Sequence, residues 1–130
     1  MIIIINGSRN AGKTTTATLL SQQLPFTAYI RIDALREFIR CEDLETSIPI
    51  NLENAVFLTK NFVKRKYNVV LEYCLRKVDH SYLLKNLKPL GVDIFTVTLL
   101  PSRSLALSHR GRVLSQDDRK RIREQYNSRS

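Results

Sequence analysis

Hydrophobic residues along the chain form short runs separated by longer, mixed segments. Four runs are rich in β-branched residues and end at polar or turn-forming residues, which is typical of buried strands. These predicted strands are 2–5, 28–32, 68–73 and 93–100. The segments between them favour helices, with apolar residues recurring near helical spacing in the longer ones. The predicted helices are 12–24, 34–40, 51–66 and 79–88.

Two local features refine this pattern. Asp33 precedes the segment 34–40, and a short acidic side chain at that position favours an N-cap. Residues 43–50 are predicted to form a polar loop that closes on Pro49.

Alternating strands and helices imply right-handed crossovers and a parallel sheet covered on both faces. The sequence therefore predicts a three-layer α/β fold with a four-stranded parallel sheet.

The turn between the first strand and the first helix has two glycines, a lysine and a threonine at fixed spacing. It fits the pattern G-x-x-x-x-G-K-[ST], in which backbone N–H groups cradle phosphate oxygens. In such a loop Lys13 reaches the β- and γ-phosphates, and the Thr14 hydroxyl binds Mg²⁺. The predicted nucleotide-binding residues are Gly7, Ser8, Arg9, Asn10, Ala11, Gly12, Lys13, Thr14 and Thr15.

Motifs that the chain lacks narrow the class of phosphate-loop protein. It has no N-K-x-D motif for reading guanine, which argues against a GTPase. At 130 residues it is too short for a AAA+ motor or a transporter ATPase, and it has no L-S-G-G-Q signature. The class that remains is the small kinases.

Two acidic positions are candidates for the chemistry. Asp33 and Arg36 are three residues apart and share a helix face, so a general base and an anion-binding group would lie together. The alternative is that Asp33 only caps a helix and Arg36 is a surface charge. Glu72 ends the third strand, where an acid can hold Mg²⁺ through water or contact the acceptor. A charged strand end without a function is the alternative there.

The charge distribution is uneven. The chain carries a net charge of +9. Residues 60–90 have eight basic and two acidic side chains, or +6, and residues 101–130 have eight and three, or +5. This charge favours an anionic partner, although a solvated basic surface would look the same. Arginines after the fourth strand, at 103, 110 and 112, are predicted to close over the γ-phosphate.

With these residues in place, the chain resembles the small P-loop kinases that include polynucleotide 5′-kinases, zeta toxins and chloramphenicol phosphotransferases. "GSRNAGKTT" matches their phosphate loop. "IRIDALREFI" resembles the D-x-x-R segment of polynucleotide kinases, which implies that Asp33 is the general base and that Arg36 contacts the acceptor. "YNVVLEYCLR" is similar to the third strand of zeta toxins, which implies that Glu72 lies near the substrate.

The last segment carries the lid resemblance. "HRGRVLSQDDRKRIREQY" is similar to the lid and following helix of polynucleotide kinases, although Val113-Leu114 stands where those have Val-Pro. The lid role falls on Arg110, with Arg103 and Arg112 as further candidates. These kinases continue into a fifth strand and a loop that helps hold the adenine, and we expect both to be missing here. The resemblance implies strand order 2-3-1-4.

The expected function is an ATP- and Mg²⁺-dependent kinase that phosphorylates a hydroxyl of a nucleic-acid 5′ end or of a small metabolite. The alternative is a non-catalytic module that binds a nucleotide or a nucleic acid. We expect one domain over 1–130, with a core over 1–100 and a lid and basic helical tail over 101–130. We also expect a cytoplasmic protein with reduced cysteines and no membrane partner. The oligomeric state stays open.

Overall fold

The computed structural model describes residues 1–8, 11–40 and 43–100, and the predicted lid and tail lie outside this part of the chain. The strands of the described part form a single sheet. They are β1 (Ile2–Gly7), β2 (Thr27–Arg31), β3 (Asn68–Tyr73) and β4 (Ile94–Leu99). They lie in the order β2-β3-β1-β4, and every neighbouring pair is parallel. The predicted strands and their order are confirmed.

Helices connect the strands. They are α1 (Lys13–Gln23), α2 (Leu44–Lys64) and α3 (Lys77–Leu87). Two 3₁₀ helices complete the described elements, Ile32–Phe38, called here the 3₁₀ segment, and Lys88–Leu90. Because each crossover joins parallel strands, the carboxyl ends of all four strands lie at one edge of the sheet, called here the carboxyl edge.

The predicted loop at 43–50 is wrong, because α2 begins at Leu44 and runs through it. Asp43 caps this helix, with its Oδ1 accepting a hydrogen bond of 2.7 Å from the Thr46 backbone N–H. Pro49 lies inside the helix, where its ring removes one N–H near the start of 21 residues. A good cap and the packing of a long helix outweigh that single lost bond.

The predicted cap at Asp33 is also wrong. Arg31 occupies the N-cap position of the 3₁₀ segment, and Asp33 lies in its first turn without a side-chain capping bond. The tighter helix strengthens the other prediction for this segment. With three residues per turn, Asp33 and Arg36 lie one above the other on the same face.

The strands bury their two faces against different elements, as their alternating side chains require. On one face, Ile2 and Ile4 pack with α2, α3 and the 3₁₀ segment in a cluster of thirteen buried residues, called here the broad core. On the other face, Ile3 and Ile5 pack with only two further buried residues, Ala17 and Val70, beneath α1. This second cluster is called the narrow core.

Within the described residues, none of the helices combines the length and the apolar character needed to cross a lipid bilayer.

Candidate functional site

The carboxyl edge of the sheet brings the ends of β1 and β3 together, and Asn6 fastens them. Its Oδ1 accepts hydrogen bonds from the backbone N–H of Gly7 at 2.9 Å and from that of Leu75 at 2.8 Å. Asn6 therefore fixes the start of the phosphate loop against the segment that follows β3. Sequence reasoning passed over this residue, although a single polar side chain ending a run of isoleucines was a usable signal.

The glycines of the loop are required by packing at one position and by backbone conformation at the other. A Cβ at Gly7 would lie 3.0 Å from the Leu99 carbonyl oxygen and 3.2 Å from the Ala11 Cβ. Gly12, just before α1, has φ of 90°, which a side chain would strain. Both glycines thus allow the chain to fold tightly back over the end of β1.

In the described part of the chain, Ser8 leaves a buried hydroxyl without a partner at the start of the loop. The residue is 2% exposed, and its Oγ has no hydrogen-bond partner among the described residues. A buried hydroxyl without a partner is costly unless a ligand supplies one. A phosphate oxygen would satisfy it.

Lys13 opens α1 and folds back toward the loop. Its Nζ donates to the Ser8 carbonyl oxygen at 2.8 Å and to Cys74 Sγ at 3.1 Å. Thr14 and Thr15 follow it in the first turn of α1 and are exposed. Cys74 was not among the predicted site residues. Its place two residues after Glu72, at the end of a predicted strand, was the signal that pointed to this edge.

Glu72 is buried at the end of β3, with only 3% of the residue exposed. Its Oε1 accepts a hydrogen bond of 2.7 Å from the Tyr29 hydroxyl, and its Oε2 lies 3.5 Å from Arg31 Nε. Burial raises the pKa of Tyr29, and the hydrogen bond and negative charge of Glu72 raise it further. The phenol therefore stays protonated, and so remains a donor, throughout the neutral pH range.

Arg31 connects Glu72 with the predicted general base. Its Nη2 lies 3.8 Å from Asp33 Oδ2, so one guanidinium lies between two carboxylates. The strand register explains this position, because Arg31 of β2 pairs directly with Glu72 of β3. Sequence reasoning missed Arg31, and the signal was its place two residues before Asp33 at the end of a strand.

Tyr73 is the last residue of β3. Burial raises the pKa of its phenol, the negative charges of Asp79 and Asp33 raise it further, and the charge of Arg36 lowers it. Asp33 follows β2, and Cys74, which contacts Lys13, follows β3. Because β2 and β3 are parallel neighbours, both residues lie at the carboxyl edge.

Several predicted site residues lie outside the described part of the chain, and their roles stay predictions. They are Arg9, Asn10, Arg103, Arg110 and Arg112.

The described residues are compatible with a magnesium ion whose ligands come mainly from a bound nucleotide and water. They contain no group of three or more His, Cys, Asp and Glu side chains placed to hold a metal ion. Mg²⁺ on a nucleotide needs only one or two protein ligands, since phosphates and water supply the others. The Thr14 hydroxyl is the candidate for direct contact, because protein donors already engage both oxygens of Glu72.

Sequence comparison does not assign the chain to a family. No protein-family model and no curated protein matches it.

Solved structures do resemble it. The Deinococcus radiodurans tunicamycin resistance protein is 22% identical with a TM-score of 0.62, over 98% of this chain and 83% of that one. Chaetomium thermophilum Kti12, in complex with ADP-AlF3, is 17% identical with a TM-score of 0.70, over 96% and 79%. A gluconokinase from Sinorhizobium meliloti 1021 is 16% identical with a TM-score of 0.67, over 95% and 73%.

These similarities establish the fold. The four-stranded parallel sheet and the helices around it have the architecture of P-loop kinases. At such low identity the comparison carries the fold alone, so the function of this chain has to be argued from its own residues.

Proposed function

We propose that the protein is an ATP- and Mg²⁺-dependent kinase that transfers the γ-phosphoryl group to a hydroxyl. The observation that carries this proposal is the convergence at the carboxyl edge. Lys13 contacts Cys74, which follows β3, and Arg31 lies 3.5 Å from Glu72 at the end of β3 and 3.8 Å from Asp33. The proposed kinase uses the phosphate-binding lysine and the acid–arginine pair from this one edge of the sheet. The complex of Kti12 with ADP-AlF3 and the gluconokinase, which share the fold, are consistent with a nucleotide-dependent transfer.

The donor nucleotide occupies the phosphate loop in this proposal. Lys13 exchanges its contacts with the Ser8 carbonyl oxygen and Cys74 for the phosphate oxygens. Mg²⁺, which the Thr14 hydroxyl would help to hold, would supply positive charge that offsets the charge of the phosphates. Loop N–H groups and the Ser8 hydroxyl hold the remaining oxygens.

In this proposal, the acceptor occupies the region around Asp33, just after β2. Asp33 takes the proton of the attacking hydroxyl, and Arg31 restrains its carboxylate from 3.8 Å away. Arg36, one turn further on, binds an anionic part of the acceptor or of the transferring group. Arg110, with Arg103 and Arg112, would cover the γ-phosphate as the sequence predicts.

A groove at the same end of the molecule favours a small acceptor with an apolar part. It lies between α2 and α3, has a volume of about 230 Å³ and is lined by Ile48, Leu52, Val78 and Tyr82 among others. Arg76, three residues after the end of β3, also lines it. The groove therefore lies at the carboxyl end of the sheet, where the proposed acceptor site also lies.

The position of one group of basic residues also favours a small acceptor over a nucleic acid. Lys60, Lys64, Arg65 and Lys66 lie at the carboxyl-terminal end of α2, just before β3 begins. That end of the helix is at the amino edge of the sheet, opposite the phosphate loop. This charge is therefore not positioned to guide a nucleic-acid 5′ end into the site, and such an acceptor is the second candidate.

The test is transfer from γ-labelled ATP with Mg²⁺, offered small hydroxylated compounds in one reaction and 5′-hydroxyl oligonucleotides in another. Lys13→Ala should lose both ATP binding and transfer. Asp33→Asn should bind ATP as the wild type does, and its transfer should fall about 10²- to 10⁴-fold, as for loss of a general base.

Two matched variants serve as controls. Asp93→Asn changes an aspartate at the amino edge of the sheet, and Lys85→Ala removes an exposed lysine from the last turn of α3. Both should leave transfer unchanged. Equal loss of ATP binding and transfer in Asp33→Asn would contradict its role as base. Bound ATP with no transfer to any acceptor would contradict the kinase proposal.

A further inference from the structure

Lys13 lies between two acceptors that belong to different parts of the carboxyl edge. Its Nζ donates to the Ser8 carbonyl oxygen in the phosphate loop at 2.8 Å and to Cys74 Sγ, just after β3, at 3.1 Å. An ammonium group has three N–H donors, so these contacts leave one. A nucleotide that engages Lys13 through more than one phosphate oxygen therefore has to displace at least one of the two acceptors.

The two acceptors differ in strength. A backbone carbonyl oxygen is a strong acceptor, whereas the sulfur of a cysteine is a weak one. The Ser8 oxygen also belongs to the loop that is proposed to surround the phosphates, and Cys74 does not. The contact with Cys74 is therefore the one that a phosphate oxygen displaces at the lower cost.

Cys74 cannot follow Lys13 when the lysine moves, because the backbone beside it is fastened to the loop. Asn6 Oδ1 accepts hydrogen bonds from the backbone N–H groups of Gly7 at 2.9 Å and Leu75 at 2.8 Å. These two bonds hold the residue after Cys74 against the residue that starts the phosphate loop. A lysine that turns to a phosphate therefore loses the sulfur contact instead of carrying it along.

Ser8 supports a ligand beside Lys13 independently of the cysteine. Its hydroxyl is buried and has no partner among the described residues, while the carbonyl oxygen of the same residue accepts from Lys13. A buried hydroxyl without a partner is costly unless a ligand supplies one. A phosphate group that engages Lys13 at this point is of the right chemistry to satisfy the hydroxyl as well.

We propose that Cys74 is a positioning residue for Lys13, and that the strength of the acceptor at position 74 sets how tightly the loop binds a nucleoside triphosphate. Sulfur holds the ammonium group beside the end of β3 but yields it to phosphate. The proposal rests on the proposed ATP site and requires only nucleotide binding, not transfer.

The test compares Cys74→Ala and Cys74→Ser with the wild type in the full chain. Calorimetry, with Mg²⁺ and a reducing agent, gives the Kd of a non-hydrolysable ATP analogue and that of AMP, which lacks the β- and γ-phosphates that such a lysine contacts. Ser21→Ala is the control, because it removes a hydrogen bond of 2.9 Å to the Thr18 carbonyl oxygen in the last turn of α1. Thermal melting without nucleotide shows whether each variant is folded.

We expect Cys74→Ala to bind the analogue about 2- to 10-fold more tightly than the wild type, the effect of removing one competing hydrogen bond. Cys74→Ser supplies an oxygen, a stronger acceptor than sulfur, and should bind the analogue more weakly than the wild type. The Kd of AMP should be the same in all of these proteins. Ser21→Ala should match the wild type for both ligands.

Unchanged or weaker binding of the analogue by a folded Cys74→Ala would overturn the proposal. Equal changes in the Kd of the analogue and of AMP would also overturn it, because they would show that the loop as a whole has changed. If Cys74→Ala does not fold, Cys74→Ser decides alone, and unchanged or tighter binding of the analogue counts against the proposal.

Failure of the kinase proposal is a separate result. A wild type that transfers no phosphate, but whose affinity for the analogue shifts in opposite directions in the two Cys74 variants, would refute the kinase and support this inference.

Discussion

The face of the sheet that packs against α2 and α3 buries thirteen hydrophobic residues, whereas the face beneath α1 buries four. On the second face, Phe95 and Val97 of β4 are 51% and 38% exposed, although they pair with the buried Ile3 and Ile5 of β1. The phosphate loop leads into α1, the helix that covers the narrow core. The proposed acceptor residues, Asp33 and Arg36, belong to the 3₁₀ segment, which packs into the broad core.

This difference separates the part of the molecule that provides most of the stability from the part that contains the proposed nucleotide site. The broad core supplies most of the buried apolar area and therefore most of the hydrophobic stabilisation. The helix α1 buries only Ala17 completely, so fewer apolar contacts hold it against the sheet. Four changes test or sharpen this contrast, and they are ordered by expected size.

The largest effect is expected from emptying the broad core. Leu83 of α3 is fully buried, and Leu83→Ala should lower the free energy of unfolding by about 2–5 kcal/mol, the cost of a large-to-small change in a packed core. Leu20→Ala removes the same atoms from a half-buried position on α1 and should cost about 1 kcal/mol. Urea unfolding measures both. Equal losses would show that the two faces contribute alike.

The second prediction concerns ligand binding. A nucleotide present at 100 times its Kd should raise the free energy of unfolding by about 2.7 kcal/mol, because it binds only the folded chain. Amide hydrogen exchange locates this effect. Without nucleotide, α1 should exchange faster than α2, and nucleotide should slow α1 more than α2. Lys13→Ala is the control and should abolish both changes. Slowing confined to α2 would contradict the contrast between the faces.

The third prediction concerns a buried polar residue on α2, the long helix that packs into the broad core. Asn51 of α2 is fully buried, and neither polar atom of its side chain has a partner among the described residues. Asn51→Leu keeps the branched shape and the number of heavy atoms, and it should raise the free energy of unfolding by about 1–3 kcal/mol, the usual cost of an unsatisfied buried group. Thr59→Val is the matched comparison, since the Thr59 hydroxyl donates to the Ala55 carbonyl oxygen at 2.7 Å. Stabilisation by both variants alike would point to general hydrophobicity instead.

The smallest effect is the pH dependence from the cap of α2. Hydrogen bonds from Thr46 hold the pKa of Asp43 below its usual value. The stabilisation is therefore present at neutral pH and is lost as pH falls through the lowered pKa. Asp43→Asn keeps a capping side chain but cannot titrate. Between pH 4 and pH 2 its melting temperature should fall less than that of the wild type. Parallel curves would contradict the assigned cap.

The sheet was predictable because its signals are local. Each strand is a short apolar run, and the glycines at 7 and 12 mark the loop by type and spacing. The start of α2 was not predicted, because Pro49 and several polar residues suggested a loop. What decides this segment is the capping bond of Asp43 together with packing against the broad core, and the second of these depends on residues far away in sequence.

The candidate site shows the same contrast between local signals and long-range ones. Lys13 and Thr14 follow from a contiguous motif, whereas the groups around Glu72 depend on strand register. Tyr29 and Arg31 lie more than forty positions from Glu72 in the sequence, and only the pairing of β2 with β3 joins them. A single sequence contains no signal for that pairing at the level of individual side chains.

The contact between Lys13 and Cys74 gives the molecule an internal reporter of occupancy. In the proposed nucleotide complex, Lys13 leaves Cys74 for the phosphates, and negative phosphate charge then comes close to the thiol. Those negative charges repel an anionic alkylating reagent such as iodoacetate. With Cys41→Ser in place, Cys74 is the remaining cysteine of the chain. The rate of its carboxymethylation then reads directly, without any label on the ligand, what fraction of the molecules is empty.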